Sequence, residues 1–297
     1  MWWAGMAIYS GRIIGDKRLP AVAGMFYEAD PEALRAQIEW AFRHPLGPGK
    51  LPLVSDERRP ASKGFVVPHA GYMYSGPVAA NAYFQIAAEG AAETYIIIGP
   101  NHTGLGEIVS VYPRGVWVTP LGEVEVDAEL SRAIIDASSY AVPDEKAHLY
   151  EHSVEVQVPF LQYLFESRFR IVPIVVYEQT PEVAEDLGKA ILEAVEATGR
   201  DVVVLASSDF THYEPHDVAA AKDKLAIDAI LALSPEKLYQ VVQEHGISMC
   251  GPGPVMAMLY YARGAGATAA KLLRYATSGD VAGDKSSVVG YAAIQVY

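Results

Sequence analysis

Four segments of this chain carry residue types that do chemistry. His69 follows the apolar run Phe65-Val66-Val67 in Pro68-His69-Ala70-Gly71-Tyr72. His102 follows Tyr95-Ile96-Ile97-Ile98 in Gly99-Pro100-Asn101-His102-Thr103-Gly104. Asp209 and His212 follow Val202-Val203-Val204-Leu205-Ala206 in Ser207-Ser208-Asp209-Phe210-Thr211-His212. Cys250, the sole cysteine, lies in Ser248-Met249-Cys250-Gly251-Pro252-Gly253-Pro254. Imidazole is a metal ligand and a proton-transfer group near neutral pH. Thiolate is a soft ligand and a nucleophile.

His69 and His102 stand beside proline and glycine, in loops that turn sharply and expose a side chain. Either one alone reads as an ordinary loop histidine; two in matching positions make metal ligation an equal reading. Gly253 and Pro254 suit a helix start, which puts Cys250 just before a helix N-terminus. The helix dipole there favours thiolate, although a lone cysteine is also commonly a small buried hydrophobe. His69, His102 and Cys250 together would make a His₂Cys set suited to Fe, Cu or Zn rather than Mg or Ca. Such a set leaves coordination positions open, as a catalytic metal requires. Met249 next to Cys250 suggests a blue-copper ligand set, but this loop lacks the histidine such a set needs.

Asp209 can orient His212 and hold its tautomer, or tune it for proton transfer. Ser207-Ser208-Asp209 can equally be helix-capping chemistry. Glu151-His152-Ser153-Val154-Glu155 is a further polar cluster. If helical, it places His152 and Glu155 on one face, and by itself it reads as a solvated helix start. Ser278-Gly279-Asp280 and Gly283-Asp284-Lys285-Ser286 read as turns. His44, His148, His216 and His245 have no supporting context.

The elements that must position these residues are short β-branched runs bounded by Gly and Pro, which read as buried, parallel strands. Ligands of open α/β sheets bind just past the carboxyl ends of such strands, where His69, His102 and His212 would converge. Asp30-Pro31 opens an amphipathic helix over 30–43, followed by a Pro/Gly-rich loop over 44–63. A helix is expected over 78–88, a pair of short strands within 107–126, and a helix from the cap Asp127 to about Ala137. Val154 to Pro159 alternates like a strand while Phe160 to Phe165 looks helical, so periodicity leaves that segment open. A strand over 171–176, helices near 181–197, 218–232, 235–244 and 254–263, and strands near 201–206, 271–276 and 287–296 complete the chain. The fold class expected is α/β: a single domain with a central mixed sheet flanked by helices on both faces.

Composition narrows the function. The 297 residues carry a net charge of −13 and half of them are apolar, so a sizeable core is available. No Lys/Arg cluster stands out, which argues against nucleic acid and anionic membranes as partners. A single cysteine rules out an intramolecular disulfide, consistent with a cytoplasmic location. No apolar run has the length of a membrane span. The apolar start, Met1 to Tyr9, lacks a basic region and reads as a variable extension over 1–17 rather than a signal peptide.

The motifs, taken in order, resemble the Memo family, named for a mediator of ErbB2-driven cell motility and including archaeal and bacterial members. The resemblance rests on Arg18-Leu19-Pro20-Ala21-Val22-Ala23-Gly24-Met25-Phe26-Tyr27, Pro68-His69-Ala70-Gly71-Tyr72 with Ser75-Gly76, and Gly99-Pro100-Asn101-His102. It continues through Glu151-His152-Ser153-Val154-Glu155-Val156-Gln157-Val158-Pro159, Ser207-Ser208-Asp209-Phe210-Thr211-His212-Tyr213, Cys250-Gly251-Pro252-Gly253-Pro254 and Ser278-Gly279-Asp280 to Tyr291.

That resemblance implies one domain over 18–297, similar in fold to class III extradiol dioxygenases. It implies His69, His102 and Cys250 as metal-site residues, with Asp209 and His212 as polar residues beside that site, where the proton-transfer reading makes them catalytic, and a helix after His152. It also implies pathway partners: a radical SAM protein and an AMMECR1-like protein, in the grouping called AmmeMemoRadiSam. Extradiol enzymes of this class hold iron with two histidines and a carboxylate. Cys250 departs from that set, and thiolate is softer and more electron-donating, so fold does not carry dioxygenase activity across.

The leading expectation is a metal-dependent redox protein, holding Fe(II) with Cu or Zn as alternatives, that acts on a small molecule. The rival is a module that binds a peptide or protein in a vestigial pocket. A hydrolase using Ser207 or Ser208 with His212 is the least supported, because no Gly-x-Ser-x-Gly elbow is present.

Overall fold

The computed structural model describes residues 11–297; the apolar start at residues 1–9 lies outside the described residues. The elements in order are β1 (Ile13–Ile14), β2 (Lys17–Arg18), α1 (Pro31–Arg43), β3 (Gly64–Val67), α2 (Tyr72–Glu89) and β4 (Thr94–Pro100). Then follow β5 (Val109–Val111), β6 (Val116–Thr119), β7 (Gly122–Glu125), α3 (Ala128–Ala137) and β8 (Ala141–Pro143). Two 3₁₀ turns (Lys146–His148 and Glu155–Gln157) lead into α4 (Val158–Phe165), β9 (Arg170–Val176), α5 (Pro181–Thr198) and β10 (Val202–Ser207). The chain finishes with β11 (His212–Glu214), α6 (His216–Leu231), α7 (Pro235–Glu244), α8 (Pro252–Gly264), β12 (Ala270–Thr277), α9 (Ser278–Ala282) and β13 (Val288–Val296).

β3, β10, β4 and β9 are neighbours in that spatial order and all run parallel. β13 joins β3 antiparallel and β5 joins β9 antiparallel, making the large sheet mixed. Successive residues of a strand face opposite sides, and here both sides are covered. Phe65, Val67, Ile97, Val203 and Leu205 join a core with α1, α2 and α4. Val66, Ile96, Ile98, Val204 and Ala206 join the core beneath α3 and α5–α8. This is the expected α/β architecture with helices on both faces. Among the described residues, no helix is long and apolar enough to cross a membrane.

Local chemistry explains most element bounds. Asp30 accepts the N–H groups of Glu32 and Ala33 to start α1, and Asp127 accepts that of Leu130 to start α3, as N-caps do. α2 begins at Tyr72 rather than near 78: Tyr72, Ser75 and Gly76 are buried in its first turns, and Pro77 lies inside the helix. Burial there outweighs the hydrogen bond that Pro77 cannot donate. The expected pair of strands within 107–126 is three strands. β5 belongs to the large sheet, whereas β6 and β7 form a hairpin in a small sheet with β1 and β2.

The ambiguous stretch at 154–159 is a 3₁₀ turn running into α4. Its alternating Val, Glu and Gln misled the periodicity because Glu155 and Gln157 are buried too. Glu155 accepts from the Ala21 N–H at 2.8 Å, the Val22 N–H at 3.0 Å and the Tyr27 hydroxyl at 2.7 Å, and pairs with Arg18. Arg18 also donates to the carbonyls of His148 and Glu151 at 2.7 and 2.9 Å. A buried ion pair this fully hydrogen-bonded pins the 148–155 segment in place. Glu155 is therefore a structural anchor, not part of a solvated helix start.

Candidate metal centre

Because β3, β10 and β4 are parallel neighbours, their carboxyl ends share one edge of the sheet. Val67 is level with Ser207 and Ala206 with Ile98, so His69, His102 and Asp209 emerge side by side. The segment pinned by Arg18 brings His152 to the same edge. Among the described residues, His69, His102 and His152 are a group whose ligand atoms all lie within 4.8 Å of one another. Their ring centroids are 4.6–5.4 Å apart.

The hydrogen bonds fix which nitrogen faces the centre. Ser207 donates its hydroxyl hydrogen to the Ser153 carbonyl at 2.6 Å and accepts from the Gln157 amide at 2.9 Å. Its oxygen therefore accepts from His69 Nδ1, 2.9 Å away, which leaves the lone pair on Nε2. His102 Nδ1 lies 2.8 Å from Glu151 Oε1 and His152 Nδ1 lies 3.5 Å from the same oxygen. Carboxylate or hydroxyl partners on the outer nitrogen are how imidazole ligands are held in one tautomer. Gly99 makes this close approach possible, since a Cβ there would sit 2.2 Å from Ser153 Oγ.

Electrostatics divide the cluster. Burial, helped by His102, lowers His69 to about 3, and burial with His69 lowers His152 to about 4, so both are neutral at pH 7. Burial also opposes the charged form of His102, but the hydrogen bond and charge of Glu151 prevail and raise it. Glu151 is held at about 2: burial works against ionisation, and the hydrogen bond and charge of His102 outweigh it. Its oxygens also accept the backbone N–H groups of His102, His152 and Ser153 at 2.5–2.9 Å.

Cys250 lines the same cleft, with Sγ 3.2 Å from His69 Nε2 and 3.2 Å from the Asp209 N–H that donates to it. The surroundings of the sulfur work against the thiolate expected before a helix. Burial, and then the nearby Asp209 carboxyl, push the thiol up, and the His69 lone pair is placed to accept its hydrogen. Asp209 is buried; its Oδ1 accepts the His69 N–H at 2.8 Å, and burial raises its carboxyl. His212 is oriented by Ser248 and not, as expected, by Asp209. Its N–H donates to Ser248 Oγ at 2.7 Å and its Nδ1 to the Ser248 carbonyl at 2.8 Å. Ser207 and Ser208 are fully buried, with hydroxyls donating to the Ser153 and Asp209 carbonyls. Neither is available as a nucleophile.

These residues surround a cleft of about 500 Å³, walled by Phe26, Ala70, Gly71, Tyr213 and Val289, with no Lys or Arg among its lining. Sequence reasoning reached His69, His102, Asp209, His212 and Cys250. It did not assign Glu151 and His152 to the site. The available signal was their polarity inside a segment whose apolar neighbours must be buried, since buried polar groups need internal partners.

A family model described as Memo-like protein matches residues 18–295. A MEMO1 family protein of Ignicoccus hospitalis is 59% identical over 278 residues, covering 94% of this chain and 98% of that protein. One of Sulfolobus acidocaldarius is 56% identical over 280 residues, covering 94% and 98%. One of Methanothermobacter thermautotrophicus is 56% identical over 275 residues, covering 93% and 98%. The crystal structure of an uncharacterized protein from Escherichia coli K12 is similar in fold, with a TM-score of 0.50 at 12% identity over 80% of this chain and 100% of that one.

Proposed function

This chain belongs to the Memo family, and on that premise we propose a metal-dependent redox protein that acts on a small organic molecule at the His69–His102 centre. The observation that carries this reading is the convergence of His69, His102 and His152, with Ser207 on the outer nitrogen of His69 and Glu151 on that of His102. Imidazoles held neutral by burial at His69 and His152, and a His102 ring oriented by a carboxylate on Nδ1, fit a divalent metal. His69 and His102 are its primary ligands, flanked by His152 and by Cys250, whose thiol proton must leave if sulfur binds. Fe(II) is the proposed ion, and Cu or Zn would suit the same donors. The bound ion would supply Lewis-acid or one-electron chemistry at its open positions.

The remaining residues handle protons. With Nδ1 committed to Ser248, His212 has a free Nε2 able to accept a proton from a molecule in the cleft. Asp209, whose carboxyl is raised by burial, lines the same cleft and is placed to exchange one. His212 is therefore the proposed base and Asp209 the proposed acid. The competing reading, a peptide-binding pocket without catalysis, is favoured by one feature, the exposed Tyr213 at the mouth.

Metal separates the two. The protein, purified without oxygen and without tag histidines, is expected to take up one Fe(II) per chain and to consume O₂ in a metal-dependent way that His212→Gln reduces. Failure to retain any of Fe(II), Cu or Zn would overturn the proposal in favour of the binding module.

A further inference from the structure

Tyr213 occupies a backbone position that suits glycine. Its φ is 60°, in the left-handed region that residues with a Cβ avoid. The reason lies in the register of β11 on β13. His212 is opposite Val289 and Glu214 is opposite the adjacent Val288, so Tyr213 is an extra residue in the ladder. Bulges of this kind commonly place glycine at the left-handed position. The side chain does not repay the strain by burial, because Tyr213 is 76% exposed. Its one aromatic neighbour among the described residues is His212, at 5.6 Å between centroids.

The bulge has a consequence for the cleft. In an unbroken strand, adjacent side chains face opposite sides. Here the adjacent His212 and Tyr213 both line the same cleft, together with Val289 from the partner strand. Among the described residues the lining contains no Lys or Arg, so apart from the imidazoles and any ion they hold the walls offer no cationic side chain. They offer instead an aromatic face at the mouth and imidazoles within. Backbone strain retained beside such a site is a pointer to function.

We infer that Tyr213 is the specificity-determining lip of the cleft: the bulge holds its ring where it packs against the planar, uncharged part of a small molecule whose polar atom reaches the histidines. This rests on the proposed small-molecule reading of the same site. The hydroxyl of Tyr213 is not needed for the role; the ring is.

The test compares phenol with cyclohexanol, which share size and a hydroxyl but differ in having a π face. Binding to the full chain is measured calorimetrically, both metal-free and loaded with Zn(II), for wild type, Tyr213→Gly and Tyr213→Phe. Wild type is expected to prefer phenol, and Tyr213→Gly to lose about fivefold in phenol affinity, as expected for one lost aromatic contact. Cyclohexanol affinity should be unchanged and Tyr213→Phe should restore phenol binding. Thermal melts of Tyr213→Gly should match or exceed wild type, since glycine accepts the left-handed conformation. A lowered melting temperature would mean that the tyrosine is structural and would overturn the inference. So would the absence of a wild-type preference for phenol, including the case where neither alcohol binds. So would an unchanged phenol affinity in Tyr213→Gly. Uptake of Zn(II) without ring discrimination refutes only this inference, whereas discrimination by a protein that takes up none of Zn(II), Fe(II) or Cu refutes only the metal reading.

Discussion

At the amino ends of β4, β9 and β10, charges meet in pairs. Asp127 accepts from Thr94 Oγ1 at 2.7 Å, from Arg200 at 3.1 Å and from the Leu130 N–H at 3.1 Å. Arg58 clasps both oxygens of Asp201 at 2.6 and 3.0 Å, and Glu93 accepts the Asp201 N–H at 2.9 Å. At the carboxyl ends of β3, β4 and β10, imidazoles crowd together, their outer nitrogens engaged and no Lys or Arg beside them. The backbone geometry at the two ends is the same, but the amino end uses polarity to close the sheet. The carboxyl end brings three imidazoles to one point, with ligand atoms within 4.8 Å of one another, an arrangement that could hold a cation. Charged groups complete one another at the amino end, whereas at the carboxyl end His102 is matched by Glu151 while His69 and His152 are held neutral in the cleft.

Substitutions that unsettle one end should leave the other alone, and the largest expected effect is at the anchor between them. Arg18→Met strands the Glu155 carboxylate inside the protein, which is expected to cost about 3–5 kcal/mol in chemical denaturation. It should weaken metal binding as well, because the segment carrying Glu151 and His152 loses its tether. A variant as stable as wild type would contradict the anchor role. Next in size, Glu151→Gln removes the partner of His102 and is expected to reduce metal affinity about 10–100-fold, and, because an amide nitrogen cannot accept the N–H groups that the buried carboxylate holds, to cost about 1–3 kcal/mol in stability. Unchanged affinity would show that the outer nitrogens do not matter. His152→Ala and Cys250→Ser are each expected to lower affinity by about tenfold; whichever titrates like wild type is not a ligand.

The sequence made the strands and their shared edge legible because β-branched runs ending in Gly or Pro have few other fates. His69, His102 and Cys250 were legible as donors because each sits where such a run or loop ends. His152 was not. Its neighbours Glu151 and Glu155 read as solvent-facing, and only the distant Arg18, Ala21, Val22 and Tyr27 reveal that Glu155 is buried and satisfied. The orientation of His212 was misassigned for a related reason: Ser248, its true partner, lies 36 residues away. Pairings of this kind depend on which loops the fold brings together, and local spacing does not encode them.

The smallest expected effect lies at the closed end. Asp127→Ala removes a helix cap and two ion pairs, and should cost about 1–2 kcal/mol with no change in metal affinity. Burial opposes the charge of Asp127, but its hydrogen bonds to Thr94 and Leu130 and the charge of Arg200 lower its pKa below the ordinary value. A depressed carboxyl contributes stability above its unfolded pKa of about 3.9, and that contribution is lost as pH falls through the folded value. The gap between Asp127→Ala and wild type should therefore narrow in acid melts. A gap independent of pH would mean that the charge of Asp127 contributes nothing.

The central claim is that the open end is a metal centre built on His69 and His102. Chelator-competition titration of the tag-free protein, prepared without oxygen, against the His69→Ala and His102→Ala variants tests it most directly, with melting curves from the same samples. The account predicts tight binding of one ion per chain in wild type, a loss of more than about 100-fold in each variant, and melting curves of the metal-free proteins that stay close together. Variants that bind metal as wild type does, with folds equally intact, would contradict it.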